Sequence, residues 1–214
     1  MKRALQSNLG WLAPLLALAV AAVLFDQEAS CRLAAYTQAR PQLLHLATLV
    51  TDWGNYAFYV GFALALAVGL LRGDRALVKL GLAYFLTLLV FSFLLTRLVK
   101  IGVGRPRPWI GAEAQLGCRP LTLDARYHSF PSGHTSDAFA AIVPALRWLP
   151  PGAAGTLLRS GVFLLALLVS LSRVMLSQHY LTDVVAGAVL AVGGGWAVAW
   201  GLERWLPSPE GEGQ

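Results

Sequence analysis

The stretch Val184–Leu202 reads VVAGAVLAVGGGWAVAWGL, 19 residues that include no Asp, Glu, Lys or Arg. An α-helix needs about 17 to 25 mostly apolar residues to cross a bilayer, so this stretch predicts a membrane-spanning helix. Inside it Gly187, Ala191 and Gly195 recur at every fourth position. Small residues on one helix face let a second helix approach closely, and the pattern therefore predicts a helix-packing surface.

Other stretches of the chain are equally apolar or nearly so. Three of them are free of acidic and basic residues: Ala4–Phe25, Trp53–Leu71 and Leu80–Thr96. Two more contain charges toward their ends: Ser132–Leu149 and Leu157–Leu176. We accept these two because long charged side chains near helix ends reach the interface and avoid a mid-bilayer cost of roughly 3 kcal/mol. The sequence thus predicts an all-α fold, an integral membrane bundle of six transmembrane helices.

The overall composition agrees with a membrane protein. Of 214 residues 57% are hydrophobic and 13% are charged, and the mean hydropathy is +0.60. So few charges exclude a disordered chain, a collagen-like repeat and an ordinary soluble enzyme. The net charge of +6 fits nucleic acid, anionic lipid or a phosphate-bearing substrate as partner. The placement of the cations near predicted span ends favours the bilayer and a lipid phosphate over nucleic acid.

The two ends of the chain and the first loop carry further predictions. The chain begins with Met1, Lys2 and Arg3, as cleaved signal peptides also do, but no suitable cleavage site follows Phe25, and we expect the first span to be retained. The polar residues 207–214 predict a flexible tail, so the membrane domain comprises residues 1–206. Several apolar side chains in the first loop predict a short amphipathic helix on the bilayer surface. They are Leu43, Leu44, Leu46, Leu49 and Val50.

The distribution of Lys and Arg gives an orientation. Six spans place both termini on one side of the membrane, with 8 basic residues on that side and 9 on the other. Setting aside Lys100, Arg107 and Arg173, which we assign to a site below, leaves 8 against 6. Because cytoplasmic loops are enriched in Lys and Arg, the count favours cytoplasmic termini. The motifs described below would then lie on the outer side of the membrane, and the family resemblance that they carry implies a bacterial inner-membrane protein whose site faces the periplasm.

Three short motifs fall on the outer side under this topology. The first is KIGVGRPRP at Lys100–Pro108, the second is FPSGHT at Phe130–Thr135, and the third is SRVMLSQHYLTD at Ser172–Asp183. Each alone also fits a structural role, for example an interfacial anchor for the basic run. Their occurrence together on one side of the membrane favours a single site.

The residue types in these motifs suit a phosphate ester. Lys100, Arg107 and Arg173 offer cations, and Arg binds a phosphoryl group with two parallel hydrogen bonds. Ser132 and Gly133 stand at a predicted helix N-terminus, where backbone N–H groups favour an anion. We therefore predict that these five residues bind substrate.

The histidines and one carboxylate predict the chemistry. His179 and Asp183 are four residues apart and share a helix face, so the carboxylate can hold one ring nitrogen and leave the other free to attack phosphorus. His134 then protonates the leaving oxygen. We predict these three residues to be catalytic.

The patterns KxxxxxxRP, PSGH and SRxxxxxHxxxD, in this order, resemble the signature of the type 2 phosphatidic acid phosphatase superfamily. The resemblance covers Lys100 to Asp183 without a departure at any fixed position. It implies a metal-independent membrane phosphatase that forms a phosphohistidine at His179, with Asp183 orienting that ring and His134 as general acid. It also implies a lipid phosphate substrate: undecaprenyl diphosphate, phosphatidylglycerol phosphate, phosphatidic acid or a lipid A phosphate.

The acidic residues near the motifs predict neither a metal nor another cofactor. They show no metal-ligand spacing: Glu113, Asp124, Asp137 and Asp183. The alternative to an enzyme is an anion transporter or channel lined by the same cations. A scaffold with a vestigial site is a third reading. The hydropathy excludes a soluble haloperoxidase relative, which would resemble the family in the same motifs.

Several residues keep two interpretations. Some basic residues could hold a second phosphate or simply face solvent, and one histidine has no role: Arg97, Arg105, Arg119, Arg126 and His128. For Asp137 we prefer a structural hydrogen bond over contact with His134. Cys31 and Cys118 both fall in outer loops, where they could pair or remain thiols. Trp53, Trp109 and Trp148 lie near span ends and resemble interface anchors.

Overall fold

The computed structural model describes residues 26–111 and 117–206, and in these ranges the regular structure is entirely helical. We number the α-helices in chain order: α1 (residues 26–38, described from residue 26), α2 (Pro41–Arg72), α3 (Arg75–Thr87), α4 (Thr96–Val103), α5 (Gly133–Phe139), α6 (Ile142–Trp148), α7 (Ala153–Met175) and α8 (Leu181–Trp205). A π-helical segment, Leu88–Leu95, joins α3 to α4, and a 3₁₀ turn occupies Ala125–Tyr127. The predicted first span, Ala4–Phe25, and the predicted tail lie outside the described residues.

Four helical stretches are long and apolar enough to cross a membrane: Pro41–Arg72, Arg75–Gly111, Ala153–Met175 and Leu181–Trp205. They contain the second, third and sixth predicted spans and all but the last residue of the fifth, so the all-α membrane class is confirmed. The fourth predicted span, Ser132–Leu149, folds as α5 and α6, two helices of seven residues separated by a turn at Ala140 and Ala141. The number six stays a prediction.

The prediction of a separate surface helix is wrong. Leu43 to Val50 form the first turns of α2, which runs without a break from Pro41 to Arg72. Proline is well suited to the first turn of a helix because its missing N–H has no partner there, and no Gly or Pro interrupts the chain again before Gly54. The second span therefore extends continuously into the outer segment.

The small-residue surface of α8 is confirmed. A Cβ atom on Gly187 would lie 2.5 Å from the backbone oxygen of Ser132, and one on Gly195 would lie 3.0 Å from Cβ of Val143. Ala191, between them, is fully buried. Close approach at these positions seats α8 against α5 and α6. The second and third sequence motifs are thereby brought side by side.

Candidate active site

The three motifs meet at one end of the helical bundle. The backbone N–H of Ser132 donates to the carbonyl oxygen of Asp183 at 2.9 Å, which joins the second motif to the third. Arg107 Nη1 donates to Oε1 of Gln178 at 3.0 Å, which joins the first motif to the third. These contacts link residues up to 71 positions apart in the chain. The convergence expected from the sequence is therefore present in the structure.

The cations of the first motif follow a sharp turn. Gly104 ends α4 with φ of 58°, and a Cβ atom there would lie 1.7 Å from the carbonyl oxygen of Arg119, so glycine suits both the conformation and the space. One helical turn earlier, Lys100 Nζ donates to the carbonyl oxygen of His128 at 2.9 Å. After the turn, Arg107 Nε donates to the carbonyl oxygen of Ala125 at 3.1 Å.

The second motif begins α5. Ser132 is its N-cap, and Oγ accepts hydrogen bonds from the N–H and the hydroxyl of Thr135 at 3.5 and 3.0 Å. This leaves the hydroxyl hydrogen of Ser132 as the group that could reach a substrate. A Cβ atom on Gly133 would lie 3.9 Å from Cε of Lys100, so the lysine side chain runs past the start of α5.

Arg173, near the end of α7, is 8% exposed. Its Nη1 donates to Oγ1 of Thr51 in α2 at 3.1 Å. Its Nε is buried and has no hydrogen-bond partner among the described residues. A buried donor without a partner is costly, and an anion placed there would satisfy it.

His179 and Asp183 lie side by side, 2% and 0% exposed. Nδ1 of His179 is 3.6 Å from Oδ2 of Asp183, which is longer than a hydrogen bond, and Nδ1 has no partner among the described residues. Burial lowers the pKa of His179 to about 3, although Asp183 favours the protonated ring. The imidazole is therefore neutral near pH 7 and keeps a lone pair.

Three donors hold the Asp183 carboxylate. Arg105 Nη1 donates to Oδ1 at 2.6 Å. Ser129 Oγ and the backbone N–H of Tyr180 donate to Oδ2 at 2.5 and 2.8 Å. Sequence reasoning missed Ser129 and Tyr180, although Ser129 directly precedes the FPSGHT motif. A carboxylate that accepts hydrogen bonds at both oxygens has little freedom to rotate, so the position of Asp183 beside His179 is well defined.

Arg105 connects this carboxylate to α1. Its Nη2 donates to Oδ2 of Asp26 at 2.6 Å, and its guanidinium lies over the ring of Tyr180, 4.3 Å from the centroid. Asp26 Oδ1 in turn accepts from the backbone N–H of Thr182 at 2.8 Å. The sequence left Arg105 among four unassigned cations, and no local signal points to Asp26, which is 79 residues away.

The other unassigned residues have mostly local roles. Arg119 lies over the ring of Tyr127, Arg126 pairs with Asp124, and His128 Nε2 is 2.9 Å from the carbonyl oxygen of Thr122. Asp137 accepts a hydrogen bond from the Tyr59 hydroxyl at 2.8 Å, the structural role we prefer. Cys31 and Cys118 are unpaired and exposed. Among residues 26–111 and 117–206, no three His, Cys, Asp or Glu side chains lie close enough to hold a metal ion.

His134 lines two cavities. The first, which we call the lysine cavity, has a volume of about 300 Å³. It is lined by Tyr59, Leu88, Ser92, Phe93, Thr96, Arg97, Lys100, Gly133, His134 and Asp137. The second, which we call the aromatic cavity, has a volume of about 480 Å³. It is lined by Thr51, Asp52, Trp53, Tyr56 and His134.

A family model described as the PAP2 superfamily matches residues 76–206, more than half of the chain and all three motifs. The chain belongs to the PAP2 superfamily. PAP2 is the type 2 phosphatidic acid phosphatase family that the motifs resemble, so that prediction is confirmed.

Two named relatives are similar to part of the chain. A lipid A 1-phosphatase of Rhizobium etli is 33% identical over 121 residues, which are 53% of this chain and 46% of that protein. A lipid A 1-phosphatase of Rhizobium johnstonii is 28% identical over 170 residues, 71% of this chain and 64% of that protein. The chain therefore spans about half to two thirds of the length of these relatives.

Two solved PAP2 structures share the fold. A transmembrane PAP2-type phosphatidylglycerolphosphate phosphatase of Bacillus subtilis aligns with a TM-score of 0.64 at 23% identity, covering 94% of this chain and 98% of that one. Aquifex aeolicus LpxE aligns with a TM-score of 0.56 at 24% identity, covering 81% and 94%. At this identity the likeness extends to the fold alone.

Proposed function

We propose that this protein is an integral membrane phosphatase that removes a phosphate group from a lipid through a phosphohistidine at His179. The observation that carries the proposal is the buried, neutral His179 at the point where all three motifs meet. It lies beside the carboxylate of Asp183, which accepts hydrogen bonds at both oxygens. Membership of the PAP2 superfamily and relatives named lipid A 1-phosphatase support the same class. Of the four lipids named above, these relatives favour a lipid A type of substrate.

The mechanism follows from the positions of the side chains. Lys100, Arg107 and Arg173 bind the phosphoryl oxygens, aided by the Ser132 hydroxyl and the backbone at Gly133. Nδ1 of His179 faces Asp183, which leaves Nε2 free to attack phosphorus. As the new N–P bond forms, the P–O bond to the lipid breaks and the lipid oxygen takes a proton from His134. Burial and the nearby cations lower the pKa of His134 to about 4, and the negative charge of the bound phosphate favours the protonated form that this step needs.

The second half of the reaction releases phosphate. Neutral His134 now takes a proton from a water molecule, and the resulting hydroxide attacks phosphorus and breaks the N–P bond. His179 returns to its neutral form and His134 to its protonated form. Asp183 stabilises the positive charge that His179 carries while it is phosphorylated, because the carboxylate lies beside Nδ1. No step of this cycle calls for a metal ion.

The membrane setting completes the proposal. We place the protein in the bacterial inner membrane with cytoplasmic termini and the site on the periplasmic side, as the Lys and Arg count favours. His134 lies in the first turn of α5, at the same end of the bundle as Lys100 and His179. A lipid headgroup could therefore reach all three residues from the interface.

Phosphate release by the purified protein tests this function. The four lipids are offered in detergent with a chelator and without added metal, beside His179→Ala and His45→Ala, the latter replacing an exposed histidine in α2. We expect release by the wild type and His45→Ala, none by His179→Ala, and an acid-labile phosphoenzyme in the wild type and His45→Ala but not in His179→Ala. Absence of release from every lipid would refute the phosphatase and leave the anion transporter. Loss of activity on chelation would refute the metal-free mechanism.

A further inference from the structure

We propose that the aromatic cavity binds the leaving group of the substrate and selects one with a hydroxyl-rich, uncharged headgroup, such as a sugar or polyol that carries the phosphate. The inference rests on the proposed function and adds a substrate class to it. Asp52, Trp53 and Tyr56 are its proposed binding residues. The sequence had assigned only Trp53, as an interface anchor.

The first step concerns the position of the leaving oxygen. A general acid must lie within hydrogen-bond reach of the oxygen that it protonates, so the leaving group lies against His134. His134 lines the lysine cavity and the aromatic cavity. A phosphoryl group in contact with Lys100 lies on the lysine side. In an in-line displacement the leaving oxygen lies opposite Nε2 of His179. With that oxygen in contact with His134 and the phosphoryl group beside Lys100, the leaving group occupies the other cavity that His134 lines, the aromatic cavity.

Charge distinguishes the two cavities. The lysine cavity contains Lys100 and Arg97 against a single carboxylate, Asp137, which is bonded to Tyr59. The charged residue in the lining of the aromatic cavity is Asp52, and it is exposed. It lies within electrostatic range of Arg173, which donates to the lining residue Thr51 and which we assign to the phosphoryl group. A carboxylate accepts hydrogen bonds from hydroxyl groups and repels a second phosphate. The aromatic cavity therefore favours a hydroxylated leaving group over the anionic product of a lipid diphosphate.

The aromatic side chains supply an apolar platform. Trp53 and Tyr56 are 68% and 59% exposed, and their ring centroids are 5.9 Å apart at an interplanar angle of 49°. Rigid aromatic rings beside a few polar groups are typical of small-ligand sites, and the C–H face of a sugar ring packs on such a surface. An interface anchor alone would not require a carboxylate and the general acid in the same cavity.

The same turn of α2 is attached to the catalytic residues. Asn55 Nδ2 donates to the carbonyl oxygen of His134 at 3.3 Å, and Thr51 Oγ1 accepts from Arg173. The cavity is thus built against the phosphoryl site by contacts on both sides.

A kinetic comparison tests the subsite. Trp53→Ala, Tyr56→Ala and Asp52→Asn are assayed with a lipid A 1-phosphate, phosphatidic acid and undecaprenyl diphosphate in detergent. The matched control is Trp200→Ala. The Trp200 side chain is also 68% exposed, but it lies near the C-terminal end of α8, whereas the site lies at the N-terminal end of that helix. We expect the two aromatic variants to raise KM for the sugar phosphate about tenfold and to change phosphatidic acid hydrolysis much less. Asp52→Asn should lower the ratio of kcat/KM for the sugar phosphate to kcat/KM for the lipid diphosphate.

A binding measurement separates this inference from the catalytic one. The same lipids are titrated into His179→Ala with and without Trp53→Ala, so that no turnover is needed. Weaker binding of the sugar phosphate alone in the double variant would support the subsite even if the wild type released no phosphate. Equal losses for all lipids, or variants that behave like Trp200→Ala, would overturn it. Thermal unfolding of each variant checks that the fold is intact.

Discussion

His179 and His134 lie at the same end of the bundle, but their surroundings differ. His179 is 2% exposed and faces a carboxylate that three donors hold in place. His134 is half-buried and lines two cavities. A nucleophile needs a defined position and a free lone pair, whereas an acid that serves the leaving group needs access to it. The contrast between a closed and an open histidine therefore agrees with the two roles proposed for them.

The largest effect that could break this contrast concerns His134. His134→Ala should lower turnover of a lipid phosphate by about 10²- to 10⁴-fold, because the leaving alkoxide is no longer protonated. p-Nitrophenyl phosphate has a leaving group that needs little protonation, so the loss in formation of the phosphoenzyme should be much smaller with it. Rapid-quench measurement of the phosphoenzyme checks this. Equal losses for both substrates would show that His134 binds substrate without acting as an acid.

Arg105 tests how the closed site is held. Arg105→Ala leaves Oδ1 of the buried Asp183 without its donor, and such a loss costs about 1 to 3 kcal/mol, or roughly 5- to 150-fold in rate. We expect the effect on kcat, with KM nearly unchanged and partial recovery in Arg105→Lys. Arg119→Ala, an exposed arginine over Tyr127, is the control. A rise in KM at constant kcat would instead make Arg105 a substrate-binding residue.

Asp26 should have a smaller influence, because it contacts Arg105 and Thr182 and not Asp183 itself. Asp26→Asn keeps the shape and one acceptor oxygen but removes the charge that Arg105 contacts at 2.6 Å. A reduction of kcat by about threefold is expected, in line with a partly exposed ion pair. In an Arg105→Ala background the same change should have no further effect on kcat. Additive losses in the double variant would mean that the two residues act separately.

The last prediction concerns stability against pH and not the rate of the reaction. The pKa of His179 is about 3 in the folded protein because of burial, against about 6.5 in an unfolded chain. Between about pH 6.5 and about pH 3, His179 is protonated in the unfolded state but neutral in the folded state. The free energy of unfolding therefore falls as the pH falls through this range. His179→Asn lacks this titration. The melting temperature of the wild type should therefore drop more between about pH 7 and about pH 4.5 than that of the variant.

The membrane class and the family were within reach of the sequence. Charge-free stretches such as Val184–Leu202 are local, and the bilayer requires every backbone group in them to be bonded within the helix. The motif spacings are also local, and His179 and Asp183 do lie side by side. They do not share a helix face as predicted, because His179 precedes α8, whose N-cap is Tyr180. The separate surface helix was wrong because hydropathy marks which residues meet lipid but not where a continuous helix begins. That helix begins at Pro41, whereas the second predicted span begins only at Trp53.

Much of the site could not be predicted because its contacts join residues far apart in the chain. Arg105 contacts Asp183 and Asp26 at separations of 78 and 79 residues, and no periodicity reports such a pair. Asn55 and Tyr59 of α2 contact His134 and Asp137 in the same way. The aromatic cavity exists only where α2 and α5 face each other. Its residues look like an ordinary interface belt when read along α2 alone.

The amino-acid sequence by itself determined that this chain is a helical membrane protein of the PAP2 superfamily, because hydropathy and short motif spacings are properties of neighbouring residues. The tertiary structure decided which donors hold Asp183, which cavities flank His134, and how α8 meets α5. Those features depend on the register between helices, which close packing at Gly187 and Gly195 sets and which no single helix encodes.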